Sequence, residues 1–308
     1  MPEVVIAVPT FRRPKSLARL LAALERLETE ARITVVVADN DAEGRQGYDY
    51  CRELCIRYRW PLDPVVAAER GIAQARNVLV ARALTYPEAQ FVAMLDDDEW
   101  PSPQWLDELL RAQGWTGADV VEGSILFDLP PGAQSWGADF DGLRSMRRPS
   151  GPADMLEGAG NILVTRACLV GMAAPWFDPA FGLTGGEDRD FFERVKAAGG
   201  RFAWADEAVA YAAVPATRTS LKWMFERAYG IGNAEMRVFL KHQPRAAARC
   251  CEYLKIALAL LLTPLLFVIL AAAPNRAADA LRRLFRNAGK LSAVMGWRYN
   301  AYAVTHGD

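Results

Sequence analysis

The chain has 308 residues, 52% of them hydrophobic and 24% charged, with 36 basic side chains set against 37 acidic ones. That near-zero balance argues against general nucleic-acid binding, and the length allows one large domain plus an appendage. Five cysteines without a CxxC pair fit reduced thiols in the cytosol, not a disulfide frame or zinc site, and with only His242 and His306 any metal must rely mainly on oxygen ligands.

The stretch "VVIAVPTF", starting at Val4, has neither the basic flank nor the long apolar core of a secretory signal, so the catalytic part is expected to stay in the cytosol. Apolar runs at 4–8, 33–38, 64–67 and 91–95 alternate with stretches at 14–27, 48–58 and 72–84 whose apolar residues recur at helical spacing. The runs do not alternate with polar residues, which fits strands of a parallel sheet buried on both faces. The fold class is therefore α/β, a doubly wound, Rossmann-like, mostly parallel sheet flanked by helices. Such sheets bind ligands beyond the carboxyl ends of their strands. There the sequence places Pro9-Thr10-Phe11, Asp39-Asn40-Asp41, Glu69-Arg70-Gly71 and Asp96-Asp97-Asp98-Glu99.

The second half changes character. Residues 129–152, "LPPGAQSWGADFDGLRSMRRPSGP", have no steady period and are expected to form a long loop of the lid or binding kind. "GNILVTRACL" supplies another strand and helix start, and "FGLTGGEDRDFFERVKAAGG" places Glu187 and Asp188 at a helix N-terminus after a Gly-Gly turn. From Ser220 onward the pattern is helical, and residues 254–273 carry Lys255 as their only charge.

Four acidic side chains follow an apolar strand in "FVAMLDDDEWP". Like charges packed together repel unless a solvated turn or a cation accommodates them. A solvated turn would cap a helix starting at Ser102 or Pro103. A D-x-D pair at a strand end instead suits a hard divalent ion bridged to a diphosphate. Asp39-Asn40 reads either as a turn-forming pair or as a carboxylate bonded to a base or ribose. Arg76, in "ERGIAQARN", is either a surface charge or a partner of the same diphosphate. Glu187-Asp188 is either a helix cap or a catalytic acid pair.

The segments "VPTFRRP", "VVADND", "ERGIAQARN", "MLDDDEWP", "EGAGNILVTR", "GGEDRDFF", "RTSLKWMFERAYGIGN" and "GKLSAVMGWRYNAY" occur in one order along nearly the whole chain. As a set they resemble the inverting, GT-A-fold glycosyltransferases of family 2, especially bacterial enzymes that build exopolysaccharides of the succinoglycan type. The resemblance implies a GT-A catalytic domain over 1–218, with a nucleotide-binding half (1–100) and an acceptor half (101–218). Residues 219–308 would form a helical, membrane-associated region. Thr10 and Asp39 would contact the nucleotide of a UDP-sugar, and Asp96 and Asp98 would hold Mg2+ or Mn2+. Asp97 would buttress them or touch the sugar, and Asp188 would be the general base. Pro9, Phe11, Arg13, Asn40, Arg76, Asn77, Asn161, Glu187, Arg218 and Arg227 complete the implied substrate-binding set. Two departures stand out. "VAYAAVPATR" lacks the late histidine or acid of many relatives, and "SLKWMFERAY" replaces the Q-x-x-R-W of processive members, which implies addition of a single sugar.

The expected partners are a nucleotide-sugar donor, a lipid-linked or oligosaccharide acceptor and a membrane. A Mg-dependent nucleotidyltransferase would show glycines after the first strand, and "VPTFRRPKS" has none. A degenerate, non-catalytic assembly partner would have lost Asp98 or Asp188. The apolar run at 254–273 is about long enough to cross a bilayer at ~1.5 Å per residue. A break is expected at Thr263-Pro264. Basic side chains flank the run on both sides: Lys241, Arg245 and Arg249 before it, then Arg276, Arg282, Arg283, Arg286 and Lys290 after it. Keeping both clusters inside favours a re-entrant or peripheral attachment at the cytoplasmic face of a bacterial inner membrane over a single span.

Overall fold

The computed structural model describes residues 1–131, 147–242, 245–269 and 273–301. The first four apolar runs form strands β1 (Glu3–Thr10), β2 (Arg32–Asp39), β3 (Leu62–Val66) and β4 (Phe91–Leu95). Helices α1 (Pro14–Leu24), α2 (Gln46–Leu54) and α3 (Ile72–Ala83) connect them. β1 pairs in parallel with β2 and β4, and β2 with β3. Within β1, Val4, Ile6 and Val8 face one core together with Leu17, Leu20, Leu21 and Leu24 of α1. Val5 and Ala7 face a second core with Leu79, Val80 and Ala83 of α3. Each strand residue thus meets a helix on one face or the other, which removes polar alternation. The four leucines hold α1 to the sheet, each contributing about 1.5–3 kcal/mol by burial.

Beyond β4 the sheet becomes mixed. Strand β8 (Asn161–Thr165) inserts antiparallel between β4 and β6 (Val120–Asp128). Strand β9 (Phe202–Ala213) runs parallel to β6 and pairs antiparallel with the short β5 (Glu99–Pro101) and β7 (Gly151–Ala153). The strand order is β3-β2-β1-β4-β8-β6-β9-β5, with β7 beside β9. Because 99–101 pairs with β9, helix α4 (Trp105–Thr116) starts later than Ser102 or Pro103. Helices α5 (Arg166–Gly171) and α6 (Glu187–Ala197) complete this part. Of the long loop expected at 129–152, residues 132–146 lie outside the described residues.

The C-terminal layer consists of α7 (Leu221–Lys241), α8 (Ala246–Ile269) and α9 (Pro274–Val294). Ser220 caps α7, its Oγ accepting from the Trp223 amide at 3.2 Å. Helix α8 is long and apolar enough to cross a membrane. Its inner side meets Met236 and Ala293 through Ile256, while Leu258, Leu261, Leu262, Leu265 and Leu266 are exposed. The expected break at Thr263-Pro264 does not occur, and α8 runs through Pro264. Proline removes one intrahelical hydrogen bond, but the helix continues on both sides, as apolar helices permit. Residues 270–272 of the expected apolar run lie outside the described residues.

Candidate active site

The cavity opens where β1, β2 and β4 end. Pro9, Thr10, Phe11, Arg13, Asn40, Asp96, Asp97, Asp98, Arg218 and Arg227 line it, as does Arg70 of the expected strand-end set, together with Trp223 and Tyr299, whose place there the sequence did not signal. The turn after β1 passes through Arg12 at φ 55, a left-handed conformation uncommon for a residue with a side chain. Arg13 then reaches the acidic turn, its Nη1 lying 3.0 Å from both Asp97 Oδ1 and Asp98 Oδ2. Thr10 donates its hydroxyl proton to Asp97 Oδ2 at 2.9 Å. Asp97 is buried, and that burial pushes its carboxyl up to about 7 despite Arg13. It buttresses the turn from within.

Asp96 and Asp98 flank it with side chains 35% and 26% exposed, so both reach the cavity. Arg76 Nη2 sits 3.0 Å from Asp96 Oδ1, and Arg218 Nη1 sits 3.5 Å from Asp98 Oδ2. Glu99, fourth in the run, is buried with Oε2 unpartnered, and burial raises its pKa well above the usual carboxylate range. Gly160 passes so close that a Cβ there would lie 2.8 Å from Glu99 Oε1 and 3.1 Å from Asp96 Oδ2. Only a glycine lets the backbone approach the acidic turn at that point. Among the described residues no group of three or more His, Cys, Asp or Glu side chains stands ready to hold an ion. The two reachable carboxylates, Asp96 and Asp98, are hard oxygen donors that fit Mg2+ or Mn2+ as part of a ligand set, and would hold such an ion only with oxygen ligands from elsewhere.

The second acidic motif opens α6. Glu187 is buried against Arg76, whose Nη1 lies 2.7 Å from Glu187 Oε1. Burial raises Glu187 to about 7, with Asp188 adding to the rise. The half-buried Asp188 has its pKa raised by burial, against lowering by Arg76, the Arg189 amide and Arg227. Its Oδ1 accepts from the Arg189 amide at 2.7 Å, and Oδ2 stands next to Gly158. Asp188 is not among the residues lining this cavity, but the charges of Arg76, Arg227 and Asp96 all act on it.

Residues 5–171 match the sequence profile of Glycosyl transferase family 2. The chain belongs to glycosyltransferase family 2. Succinoglycan biosynthesis protein ExoM of Rhizobium meliloti (strain 1021) is 33% identical over 242 residues, covering 77% of this chain and 75% of that protein. The mannosyltransferase PcManGT from Pyrobaculum calidifontis, solved with GDP-Man and Mn2+, shares the fold at TM-score 0.62 and 18% identity, covering 96% of this chain and 88% of its own. TarS 1-349 of S. aureus, solved with UDP, superposes at TM-score 0.51 and 18% identity, covering 97% and 93%. The fold of this family 2 chain is thus GT-A.

Several residues implied by the family resemblance hold local partners, and Asp39, Asn77 and Asn161 are not among those lining the cavity. Asp39 is buried, its Oδ1 accepting from the Asp41 amide and its Oδ2 from the Tyr48 amide, both at 2.9 Å. It shapes the turn into α2. Asn40 lines the cavity yet also ties β2 to the segment before α3, accepting from the Gly71 amide at 2.6 Å. Asn77 clamps the Phe177 backbone, with bonds of 2.6 and 2.9 Å to its carbonyl and amide. Asn161 is buried, accepting from Trp105 Nε1 at 2.7 Å and donating to the Ser124 and Ala208 carbonyls. Sequence reasoning also missed Glu122, whose carboxylate accepts from the Glu157 and Gly158 amides at 2.8 and 3.1 Å. A charge inside the apolar run "VVEGSILF" was its only signal.

Proposed function

We propose that this chain transfers a single sugar, with inversion and dependence on a divalent metal, from a nucleotide-sugar to a saccharide acceptor. A UDP-sugar is the expected donor, and the acceptor is a lipid-linked saccharide or polysaccharide. The observation that carries the reading is Arg76, one buried guanidinium held between Asp96 of the first acidic motif and Glu187 of the second. It brings a diphosphate-side carboxylate and a base-side carboxylate, far apart in sequence, to one place.

In this reading Asp188 takes the proton from the acceptor hydroxyl as that oxygen bonds to the anomeric carbon. The carbon–oxygen bond to the diphosphate breaks on the opposite face, which inverts the centre. Arg13 and Arg218, already paired with Asp98, are the cations nearest the departing diphosphate. Asp96 and Asp98 would hold the metal, which when bound supplies neutralising charge to the leaving group. GDP-Man in the PcManGT complex, UDP in the TarS complex and the role in ExoM's name support a nucleotide-sugar donor and a polysaccharide product. The exposed leucines of α8, with Arg245 and Arg249 at its start, support attachment to anionic lipid at the cytoplasmic face of a bacterial inner membrane. The helical region then starts at about 219, and 1–218 is the catalytic domain.

The test is a panel of radiolabelled nucleotide-sugars incubated with the protein and membrane-lipid extract, with and without chelator. The expected result is one preferred donor, a product of inverted anomeric configuration and loss of turnover in chelator. Full activity in excess chelator removes the metal, and a retained configuration removes the base role of Asp188.

A further inference from the structure

Tyr299 lies beyond the last helix, far in sequence from both acidic motifs, yet it lines the same cavity as Asp96, Asp98 and Arg218. Chain ends fray unless something ties them down, and here Asn233 does so. This buried side chain on α7 accepts from the Tyr299 amide at 3.3 Å. It donates to Ser292 Oγ at 2.9 Å and to the Trp297 carbonyl at 3.0 Å. Glycines let the two helices come close enough for this. A methyl group at Gly232 would run into the Arg286 carbonyl, and one at Gly289 into the Tyr229 carbonyl. A Cβ at Gly230 would lie 3.0 Å from Tyr299 Cδ1, so the ring occupies the space that a side chain would take. The ring is further fixed edge-on to Tyr229, with centroids 5.3 Å apart and planes at 76°.

We propose that Tyr299 is an acceptor-docking residue, its ring face receiving the terminal sugar of the acceptor. The proposal rests on the glycosyl-transfer reading above. The donor's diphosphate belongs with Arg13, Asp96 and Asp98, which leaves the wall around α7 and the tail for the other substrate. Arg227 and Tyr299 line the same cavity as Asp96, which Arg76 joins to Glu187, the neighbour of the base. An acceptor seated in this cavity therefore has Tyr299 on its wall. A tyrosine combines an apolar ring with a polar tip, and the exposed carboxylate of Glu226 lines the same wall. That pairing suits the CH face and hydroxyls of a sugar.

The test uses the full-length protein with Tyr299→Ala, Tyr299→Phe and Asn233→Ala, the last loosening the tail without altering the ring. Transfer is measured to membrane-lipid extract and to water-soluble oligosaccharides released from it by mild acid. Nucleoside diphosphate release to water is followed without acceptor, and circular dichroism checks the fold. The expected result is an acceptor half-saturation raised about tenfold in Tyr299→Ala, with the donor half-saturation moving less than about threefold. Tyr299→Phe recovers most of the loss, and Asn233→Ala follows Tyr299→Ala. A shift confined to the lipid extract marks a lipid-linked sugar as the ligand, and an equal shift in both arms marks the free sugar as sufficient. Wild-type acceptor dependence in Tyr299→Ala, or equal shifts for donor and acceptor, overturns the docking role and leaves the transfer reading standing. If the unaltered protein neither transfers sugar nor releases nucleoside diphosphate from any donor, the transfer reading fails and the docking role with it.

Discussion

At the 96–99 turn, Arg13 and Arg218 reach the carboxylates from the cavity and Arg76 from within the protein, and Asp96 and Asp98 remain partly open to solvent. At the start of α6 two acids are again buried. Glu187 and Asp190 are buried, Asp190 meeting Lys241 Nζ at 2.6 Å and His242 Nε2 at 3.1 Å, and burial raises the Asp188 pKa. Each run thus holds two buried acids, and the runs differ in that Asp96 and Asp98 line the cavity while Asp188 does not. Exposed carboxylates paired with arginine can exchange those partners for a cation and a diphosphate. A carboxylate with a raised pKa binds a proton more readily, as a general base must.

The largest expected effect comes from breaking the second turn chemically. Asp188→Asn is expected to lower kcat by roughly 10²–10⁴-fold while donor affinity stays within a few fold. Lost donor binding with retained turnover would assign Asp188 to the first turn's role instead. Because only the ionised carboxylate accepts a proton, wild-type activity should fall as pH drops through the raised Asp188 pKa. The acid limb of the pH–rate profile then lies above the usual aspartate value of about 3.9.

Breaking the link between the turns comes next. Arg76→Leu leaves Glu187 buried without its cation and is expected to cost about 3–5 kcal/mol, read from the urea midpoint. A loss under about 1 kcal/mol would show that the turns are held independently.

A smaller effect concerns Glu122, which holds the 157–158 backbone beside the second turn. Burial raises it to about 8 from an ordinary glutamate value near 4.5. The folded state then keeps a proton that the unfolded state releases between those values, so stability falls as pH rises through that window. Urea unfolding at pH 5 and pH 8 should show this drop, and Glu122→Gln should flatten it.

The smallest expected effect is Asn77→Ala, next to Arg76 on α3. Losing both bonds to Phe177 should cost about 1–3 kcal/mol without changing the donor Kd. A weakened donor Kd would return Asn77 to the binding site.

The strands and helices of the sheet were legible because burial on both faces produces apolar runs, and helices between them produce helical spacing. The open turn was legible too, since consecutive aspartates after a strand have few structural uses. Asp39, Asn77 and Asn161 were not. A polar side chain at a strand end or helix start looks the same in sequence whether it binds a ligand or a backbone amide, and only the fold supplies the partner. Pro264 was misread as a break because the sequence does not show what surrounds the helix on either side of it. Tyr299 was missed because its route to the cavity runs through glycine contacts between two helices, which leave no periodic trace.

The order of the sheet bears on how the protein is made. β8 fits between β4 and β6, so during synthesis the first four strands emerge with the hydrogen-bonding edge of β4 bare until residues 161–165 follow. In that interval Val92 and Met94, buried in the finished fold, lie on a strand paired with β1 but bare along its other edge. Open edges of this kind recruit other chains. The nascent chain therefore carries an added open edge in the interval between its fourth strand and its eighth, and a chaperone that covers the β4 edge would act there.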